Sequence, residues 1–231
     1  MIEPEHPLFS LVERGYAVFK YQSPNNLGVC TTCCMCPLEV QDMLQAQVHE
    51  IPLLSIDRWY MAALSGTLTR EVWGYLMPRI LEILATGKEV CSLGNEIVLA
   101  RFSTGNATLW RPEEWSVLAD FQQQHLRWSV GVRPHEMDTN LCMYNLGGWP
   151  LAGLWEQVLK WPDGLLVEAL WESWWRLGYI ERSVTSFWPN EKKEQITALY
   201  SGPELRERVE SIALSTSKSA DKALELANVW W

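Results

Sequence analysis

Basic side chains are scarce in this chain of 231 residues. It carries 19 lysines and arginines against 28 aspartates and glutamates, which gives a formal net charge of −9 at pH 7. A protein that binds along the phosphates of a nucleic acid concentrates lysine and arginine on one face. The charge balance therefore argues against a nucleic acid partner. An acidic surface instead favours a protein partner of basic character.

Long apolar runs are also missing from the sequence. No stretch reaches the ~18 uninterrupted apolar residues of a membrane helix. Residues 1–7 contain two acids and no lysine or arginine, so they do not resemble a secretory signal. We therefore expect a cytoplasmic protein that does not associate with membranes. In that reducing compartment the six cysteines are predicted to be thiols or ligands rather than disulfides.

Specific catalytic motifs are absent from the sequence. It has no G-x-G-x-x-G or Walker pattern, and its four histidines are scattered. Ser215 and Lys218 form a Ser-x-x-Lys pattern, but the partner motifs of the serine hydrolases are missing. We therefore assign no catalytic residue, and the sequence favours a protein that is not an enzyme.

Apolar residues recur at intervals of three and four along most of the chain, which is typical of amphipathic helices. Pro37 and Pro112 suit the first position of a helix, because proline lacks only an amide that would be unpaired there. Ser55 is predicted to cap a helix of its own. Pro78 removes an internal hydrogen bond, so it predicts a kink or a restart within the helix that begins near Thr69. The sequence therefore predicts an all-α fold.

The C-terminal tail shows helix breaks at Gly202-Pro203 and within residues 215–219. Only short segments such as residues 180–184 favour a strand. The predicted fold is a compact multi-helix bundle or irregular helical array with at most a minor short-strand element. A single helical domain is the simplest organisation, and a two-lobe organisation is the alternative, with a cysteine-bearing lobe 1–130 and a tryptophan-rich lobe 131–231.

The segment Cys30-Thr31-Thr32-Cys33-Cys34-Met35-Cys36 carries four of the six cysteines. A C-x-x-C pair can chelate a tetrahedral zinc ion or form a redox dithiol, since two intervening residues let both sulfurs face one point. Three interpretations remain open: a zinc site, redox or regulatory thiol chemistry, and small thiols packed on a turn. The predicted metal ligands are Cys30, Cys33, Cys34 and Cys36, and no cofactor other than zinc is predicted.

The cysteine segment lacks a second ligand pair elsewhere in the chain. His6, His49 and Cys91 are candidates to complete a site, but none has the spacing of a known zinc motif. A cysteine just ahead of a helix N-terminus often has a lowered pKa. Cys34 or Cys36 is therefore the thiol in which we expect that effect.

Ten of the 14 tryptophans follow residue 127. On a helical wheel that begins at Asp163, the apolar residues cover an arc of about 180°, wider than the ~100° that a surface helix usually buries. Such a helix either packs at the centre of a core or offers one flank to a partner, because tryptophan is enriched at binding hot spots. The tryptophans predicted to bind a partner are Trp149, Trp155, Trp171, Trp174 and Trp175, and Trp161 extends the set.

Several short motifs follow one another in the N-terminal half. They are Leu27-Gly28-Val29-Cys30, Cys33-Cys34, Ile51-Pro52-Leu53, Trp59-Tyr60 and Leu76-Met77-Pro78-Arg79-Ile80-Leu81-Glu82. With these motifs the chain resembles a widespread group of uncharacterised bacterial proteins, which share a Cys-x-x-Cys-Cys cluster followed by a helix with the pattern Leu-x-Pro-Arg-Ile-Leu-Glu. The resemblance covers about residues 16–128, and Cys36 and the tryptophan-rich half lie outside it. No activity is attached to that group, so the resemblance implies a bacterial, cytosolic and helical protein and no mechanism.

Two classes of function follow from these patterns. The first is a non-catalytic bacterial interaction protein, of the immunity, inhibitor or adaptor type, that binds a protein partner or a second copy of itself. The acidic surface would steer a basic partner, and the tryptophans would slow its dissociation. The alternative is a metal- or thiol-dependent protein, including an enzyme, that uses residues 30–36.

Overall fold

The computed structural model describes residues 2–66, 68–175 and 184–228. Helices dominate these ranges, and their only β pairing is an isolated antiparallel bridge between Val29 and Leu64. The predicted all-α fold is confirmed. The short strand predicted at residues 180–184 falls almost entirely outside the described residues.

None of the helices in the described ranges combines the length and the apolar character that a membrane crossing requires.

The chain divides into two compact units, residues 1–125 and residues 126–231. The N-terminal unit holds four complete helices and most of a fifth, which continues into the C-terminal unit. These helices are α1 (Phe9–Val18), α2 (Pro37–Gln45), α3 (Leu53–Met61), α4 (Arg70–Ala85) and α5 (Pro112–Val132).

Two helices of the N-terminal unit begin where the sequence predicts. Helix α2 starts at Pro37 and helix α5 starts at Pro112. The prediction that Ser55 caps a helix is wrong: α3 begins two residues earlier, directly after Pro52. The backbone of Pro52 is extended, and its carbonyl accepts hydrogen bonds from the amides of Ser55 and Ile56, so Ser55 already lies within the first turn.

Helix α4 continues through Pro78, so the predicted restart does not occur. Nearly every residue from Val72 to Ala85 is buried. An internal proline costs a helix about 3 kcal/mol, but burying a single large apolar side chain contributes about 1.5–3 kcal/mol. The combined burial of the α4 side chains therefore outweighs the missing hydrogen bond.

Aromatic side chains fill the core of the N-terminal unit. Trp59 and Trp73 are fully buried and meet edge to face, with ring centroids 5.8 Å apart. The Trp73 ring also packs against the Phe102 ring, with centroids 5.3 Å apart. The Phe102 ring in turn meets the Trp110 ring edge to face, also at 5.3 Å. This row of rings fixes the end of α3 against α4.

In its described residues, 126–175 and 184–228, the C-terminal unit contains the end of α5 and six further α-helices. Helix α8 runs directly into a π-helical turn, Trp171–Trp175. The helices are α6 (Met137–Leu146), α7 (Leu151–Leu159), α8 (Asp163–Leu170), α9 (Asn190–Tyr200), α10 (Pro203–Ala213) and α11 (Ala220–Ala227). The tail breaks predicted at Gly202-Pro203 and within residues 215–219 separate α9, α10 and α11.

A buried carboxylate organises the core of the C-terminal unit. Asp138 accepts hydrogen bonds from the Trp188 indole at 3.1 Å, the Tyr200 hydroxyl at 2.9 Å and the Thr185 amide at 2.7 Å. The Tyr200 ring makes edge-to-face contacts with the rings of Trp155 and Trp174, and both pairs of ring centroids are 5.5 Å apart. The Asp138 side chain therefore ties α6 to α9 and to the segment before it.

Candidate functional site

Three cysteine sulfurs come together on the N-terminal unit. The Sγ atom of Cys33 lies 3.4 Å from that of Cys30 and 3.3 Å from that of Cys34. All three sulfurs lie within 4.8 Å of one another. Cys33 and Cys34 are exposed and Cys30 is partly buried. The result is a three-sulfur group that solvent can reach, here called the thiol trio.

Backbone hydrogen bonds hold both ends of the loop that carries the thiol trio. The Cys30 amide donates to the Ala63 carbonyl at 2.8 Å, and the Ser65 amide donates to the Gly28 carbonyl at 3.0 Å. The Met35 amide closes the loop on the Cys30 carbonyl at 3.2 Å. The Met35 side chain is buried and anchors the loop in the unit below. The sulfurs are therefore presented by a fixed turn.

Arg101 fixes the end of α3, directly before the Ala63 and Ser65 backbone groups that bond to this loop. Its guanidinium donates to the carbonyls of Trp59, Tyr60 and Ala62 at the end of α3. It also lies over the Trp59 ring, 5.3 Å from the ring centroid. Trp59 in turn donates its indole N–H to the Leu27 carbonyl at 2.9 Å. Arg101 and Trp59 thus connect the hydrophobic core to the backbone that leads into the thiol trio.

Gly28 is a point where this backbone requires glycine. Its φ is +69°, and a Cβ added there would lie 2.7 Å from Cδ2 of Leu68. We expect Gly28→Ala to lower the free energy of unfolding by about 1–3 kcal/mol, because a left-handed residue with a side chain and a displaced Leu68 both cost energy. Urea denaturation measures the change.

Gly66 provides the matched control for this substitution. A Cβ at Gly66 meets nothing within 4 Å, so Gly66→Ala should change stability by no more than about 0.5 kcal/mol. Equal effects of the two substitutions would show that Gly28 does not constrain the loop.

The two sulfurs of the C-x-x-C pair differ in acidity. The pKa of Cys30 is lowered to about 7, because the backbone N–H groups of Cys33 and Thr32 donate to its sulfur and stabilise the thiolate. The pKa of Cys33 is raised to about 11 by its hydrogen bonds with Cys34 and Cys30 and by their negative charge. At neutral pH a substantial fraction of Cys30 is therefore thiolate.

Cys30 has a lowered pKa, although the argument from a helix N-terminus does not select it. That argument depends on the N-terminus of α2. The amide groups that stabilise the thiolate belong instead to the turn inside the loop, at Thr32 and Cys33. A helix-end argument from the sequence cannot include such turn amides.

The thiol trio contains three of the four cysteines predicted as metal ligands. Cys36 lies outside the group, exposed and directly before α2. The other candidates are also elsewhere: Cys91 is buried, His49 contacts the Tyr16 ring, and Nδ1 of His6 accepts from the Leu8 amide. Within the described part of the chain, the sulfurs form a group of three rather than a closed set of four.

Three thiols in this arrangement can bind a soft metal ion. Thiolates select ions such as Zn²⁺ and Cu⁺ over Mg²⁺ or Ca²⁺. Structural zinc sites usually have four protein ligands, whereas sites with three leave a position for water or another ligand. The thiol trio therefore fits an open site whose ion remains accessible from solvent.

Comparison with protein-family models, curated proteins and solved structures finds no match to this chain. The interpretation of the site therefore depends on its own geometry.

The predicted partner-binding tryptophans occupy different environments in the C-terminal unit. Trp149, Trp155 and Trp174 are buried, as is the neighbouring Trp161. Trp175 is 44% exposed. The buried indoles are part of the core, so the contact surface predicted from the helical wheel is reduced to Trp175 and the accessible part of Trp171.

Trp171 is partly covered by α11. Its indole N–H donates to the Glu225 carboxylate at 2.5 Å, and the Lys222 ammonium lies 4.1 Å from its ring centroid. Lys222 also pairs with Glu168 at 2.6 Å. These contacts give Trp171 a role in packing α11 against α8.

The sequence does not predict one charged cluster of the N-terminal unit. The Glu114 carboxylate is fully buried and bonded to two arginines and a tyrosine. One of those arginines and the tyrosine are distant in sequence, so no local pattern predicts the contact.

Proposed function

We propose that the N-terminal unit binds a thiophilic metal ion through Cys30, Cys33 and Cys34, with Zn²⁺ as the first ion to test. The observation that carries the proposal is the approach of all three sulfurs to within 4.8 Å of one another. Exposed cysteines that serve only to pack a turn have no reason to converge in this way.

The spacing of the sulfurs suits such an ion. A Zn–S bond of about 2.3 Å in tetrahedral geometry separates two sulfurs by about 3.8 Å. The Cys33 sulfur lies 3.4 Å and 3.3 Å from its two neighbours. Each of these separations needs to widen by only about half an ångström to reach that geometry, which side-chain rotation alone can supply.

The number of sulfurs bears on whether the proposed metal site is a closed structural site or an open one. Three protein ligands leave one position of a tetrahedral ion to water or to a donor from outside the chain. The exposure of Cys33 and Cys34 keeps that position accessible. We therefore propose exchangeable binding, in which the ion is taken up and released, rather than a closed structural site.

Equilibrium titration of the reduced protein with Zn²⁺ in competition with a chromophoric chelator tests this function, because it gives both the stoichiometry and the affinity. We expect a single zinc ion per chain and a loss of affinity of more than about tenfold in Cys30→Ser, Cys33→Ser and Cys34→Ser, since each removes a direct ligand. Cys36→Ser is the matched control, because it removes a neighbouring exposed thiol outside the trio.

Two results would contradict the metal proposal. One is a reduced protein that binds no zinc. The other is an equal loss of affinity in Cys36→Ser. A protein that binds no zinc but forms a Cys30–Cys33 disulfide in a glutathione redox buffer would instead favour thiol chemistry at the same residues.

An interaction function of the immunity, inhibitor or adaptor type is the second proposal. Its support is the exposed indole of Trp175 together with the net charge of −9. Large exposed aromatic side chains are typical anchors of protein interfaces. A protein partner or a second copy of the chain would dock there, and the substitution of Trp175 described in the Discussion tests it.

A further inference from the structure

Three cations converge on one cleft of the N-terminal unit, although the chain as a whole is strongly acidic. Lys20, Arg70 and Arg111 line a cleft of about 290 Å³ together with Tyr21 and Glu71. A second cavity of about 400 Å³ shares Tyr21 and Glu71 with the first and is lined further by residues 22–26, Thr69 and Val72. The smaller space, which the three cations line, is here called the cationic cleft.

A buried carboxylate fixes the two arginines of the cationic cleft. Glu114 is fully buried and accepts hydrogen bonds from the Tyr21 hydroxyl at 2.7 Å and from Nη2 of Arg70 at 2.6 Å. It also accepts from the backbone amide of Arg111 at 2.8 Å and from its Nε at 2.9 Å. The guanidinium groups are therefore held in place before any ligand arrives.

Both arginines keep guanidinium donors that are not used within the cluster. Arg70 directs Nε to the Tyr21 hydroxyl at 2.8 Å, and the Arg111 guanidinium lies over the Tyr21 ring at 5.6 Å. A guanidinium has five N–H donors. Among the described residues, Nη1 of Arg70 and Nη1 of Arg111 have no hydrogen-bond partner, and Lys20 forms no ion pair.

The positive charge exceeds what Glu114 needs. One arginine would balance its buried carboxylate, and the second arginine and Lys20 add two charges. The other acids nearby are Glu113, which lies 3.6 Å from Nε of Arg111, and Glu71, and both are exposed. These two acids equal the two remaining cations in number, so the recognition of an anion depends on the arrangement of the guanidinium donors rather than on a net positive charge.

We propose that the cationic cleft binds a small organic anion through Lys20, Arg70 and Arg111. The fork of a guanidinium matches carboxylate and phosphate groups equally well. Glu71 also lines the cleft, and its carboxylate is able to accept a hydrogen bond from a hydroxyl or amino group of the same ligand. The ligand class is therefore a small carboxylate or phosphate that also carries a hydroxyl or amino group. This site does not depend on the thiol trio.

Isothermal titration calorimetry with malate and with inorganic phosphate, at constant ionic strength, tests this site. We expect saturable binding of at least one of the two probes, and the tighter one identifies the acidic group that the cleft prefers. Lys20→Gln should weaken that binding about three- to tenfold, since it removes one charged contact. Lys88→Gln removes an equally exposed charge from the same unit and should leave binding unchanged.

The variant Arg111→Lys tests whether binding depends on the shape of the guanidinium group or only on its positive charge. It keeps the positive charge but loses the guanidinium fork, so it should weaken binding at least as much as Lys20→Gln. Thermal melting of each variant checks that the unit remains folded. The absence of saturable binding for both probes would overturn the proposal, as would an equal weakening by Lys20→Gln and Lys88→Gln.

Discussion

Replacing Asp138 with alanine is expected to lower the free energy of unfolding by about 3–5 kcal/mol. The carboxylate is buried and accepts hydrogen bonds from Trp188, Tyr200 and Thr185. Its removal takes this acceptor from the buried Trp188 indole and Tyr200 hydroxyl, and the loss of the acceptor of a buried donor costs about 1–3 kcal/mol. Chemical denaturation followed by circular dichroism measures the loss.

Asp221 is the matched control for this prediction. It is exposed in the first turn of α11, within the same unit. Asp221→Ala removes only a favourable interaction with the helix dipole, which contributes at most about 1 kcal/mol. Similar losses for Asp138→Ala and Asp221→Ala would contradict the role assigned to the buried carboxylate.

Alanine substitutions of the neighbouring Trp174 and Trp175 are expected to lower the stability of the protein by very different amounts. Trp174 is fully buried and contacts the Tyr200 ring, so Trp174→Ala should cost about 3–5 kcal/mol of stability. Trp175 is 44% exposed, so Trp175→Ala should lower stability by less than about 1 kcal/mol. If Trp175 anchors a partner or a second copy, its loss should weaken that association by about 2 kcal/mol or more.

Thermal melting and sedimentation velocity of the two variants provide the readouts. Trp175→Ala should keep its melting temperature and lose self-association, whereas Trp174→Ala should lose the melting temperature. A severe loss of stability in Trp175→Ala, with association intact, would identify Trp175 as a core residue and remove the support for the interaction proposal.

Local chemistry accounts for the parts of the fold that the sequence predicts well. Pro37 and Pro112 start helices because their missing amide costs nothing at that position. Gly202-Pro203 ends one helix and starts the next for the same kind of reason. The continuity of α4 through Pro78 is different, since it depends on burial against residues from elsewhere in the chain.

The sequence predicts that the candidate site consists of cysteines from residues 30–36, but it does not predict how their sulfurs are arranged. The C-x-x-C spacing indicates that Cys30 and Cys33 can share a partner, and the structure adds Cys34 and leaves Cys36 outside. The contacts of Asp138 and Glu114 join residues that are up to 62 and 93 positions apart. Periodicity carries no information on such pairs.

The tryptophan face shows a second limit of pattern reasoning. The helical wheel assumes about 100° per residue, but Trp171–Trp175 forms a π-helical turn. A π-turn has i→i+5 hydrogen bonds and therefore a smaller angular step per residue than an α-helix. Adjacent residues point in different directions in either kind of helix, so an apolar arc of about 180° includes both Trp174 and Trp175, although one is buried and the other is exposed.

The thiol trio contains an odd number of sulfurs, and disulfides consume them in pairs. Any disulfide within the group joins two sulfurs and leaves the third as a thiol. That remaining sulfur is able to form a mixed disulfide with a small thiol such as glutathione. Internal oxidation can therefore remove the group as a three-sulfur ligand set, but it always leaves one sulfur available to a molecule outside the chain.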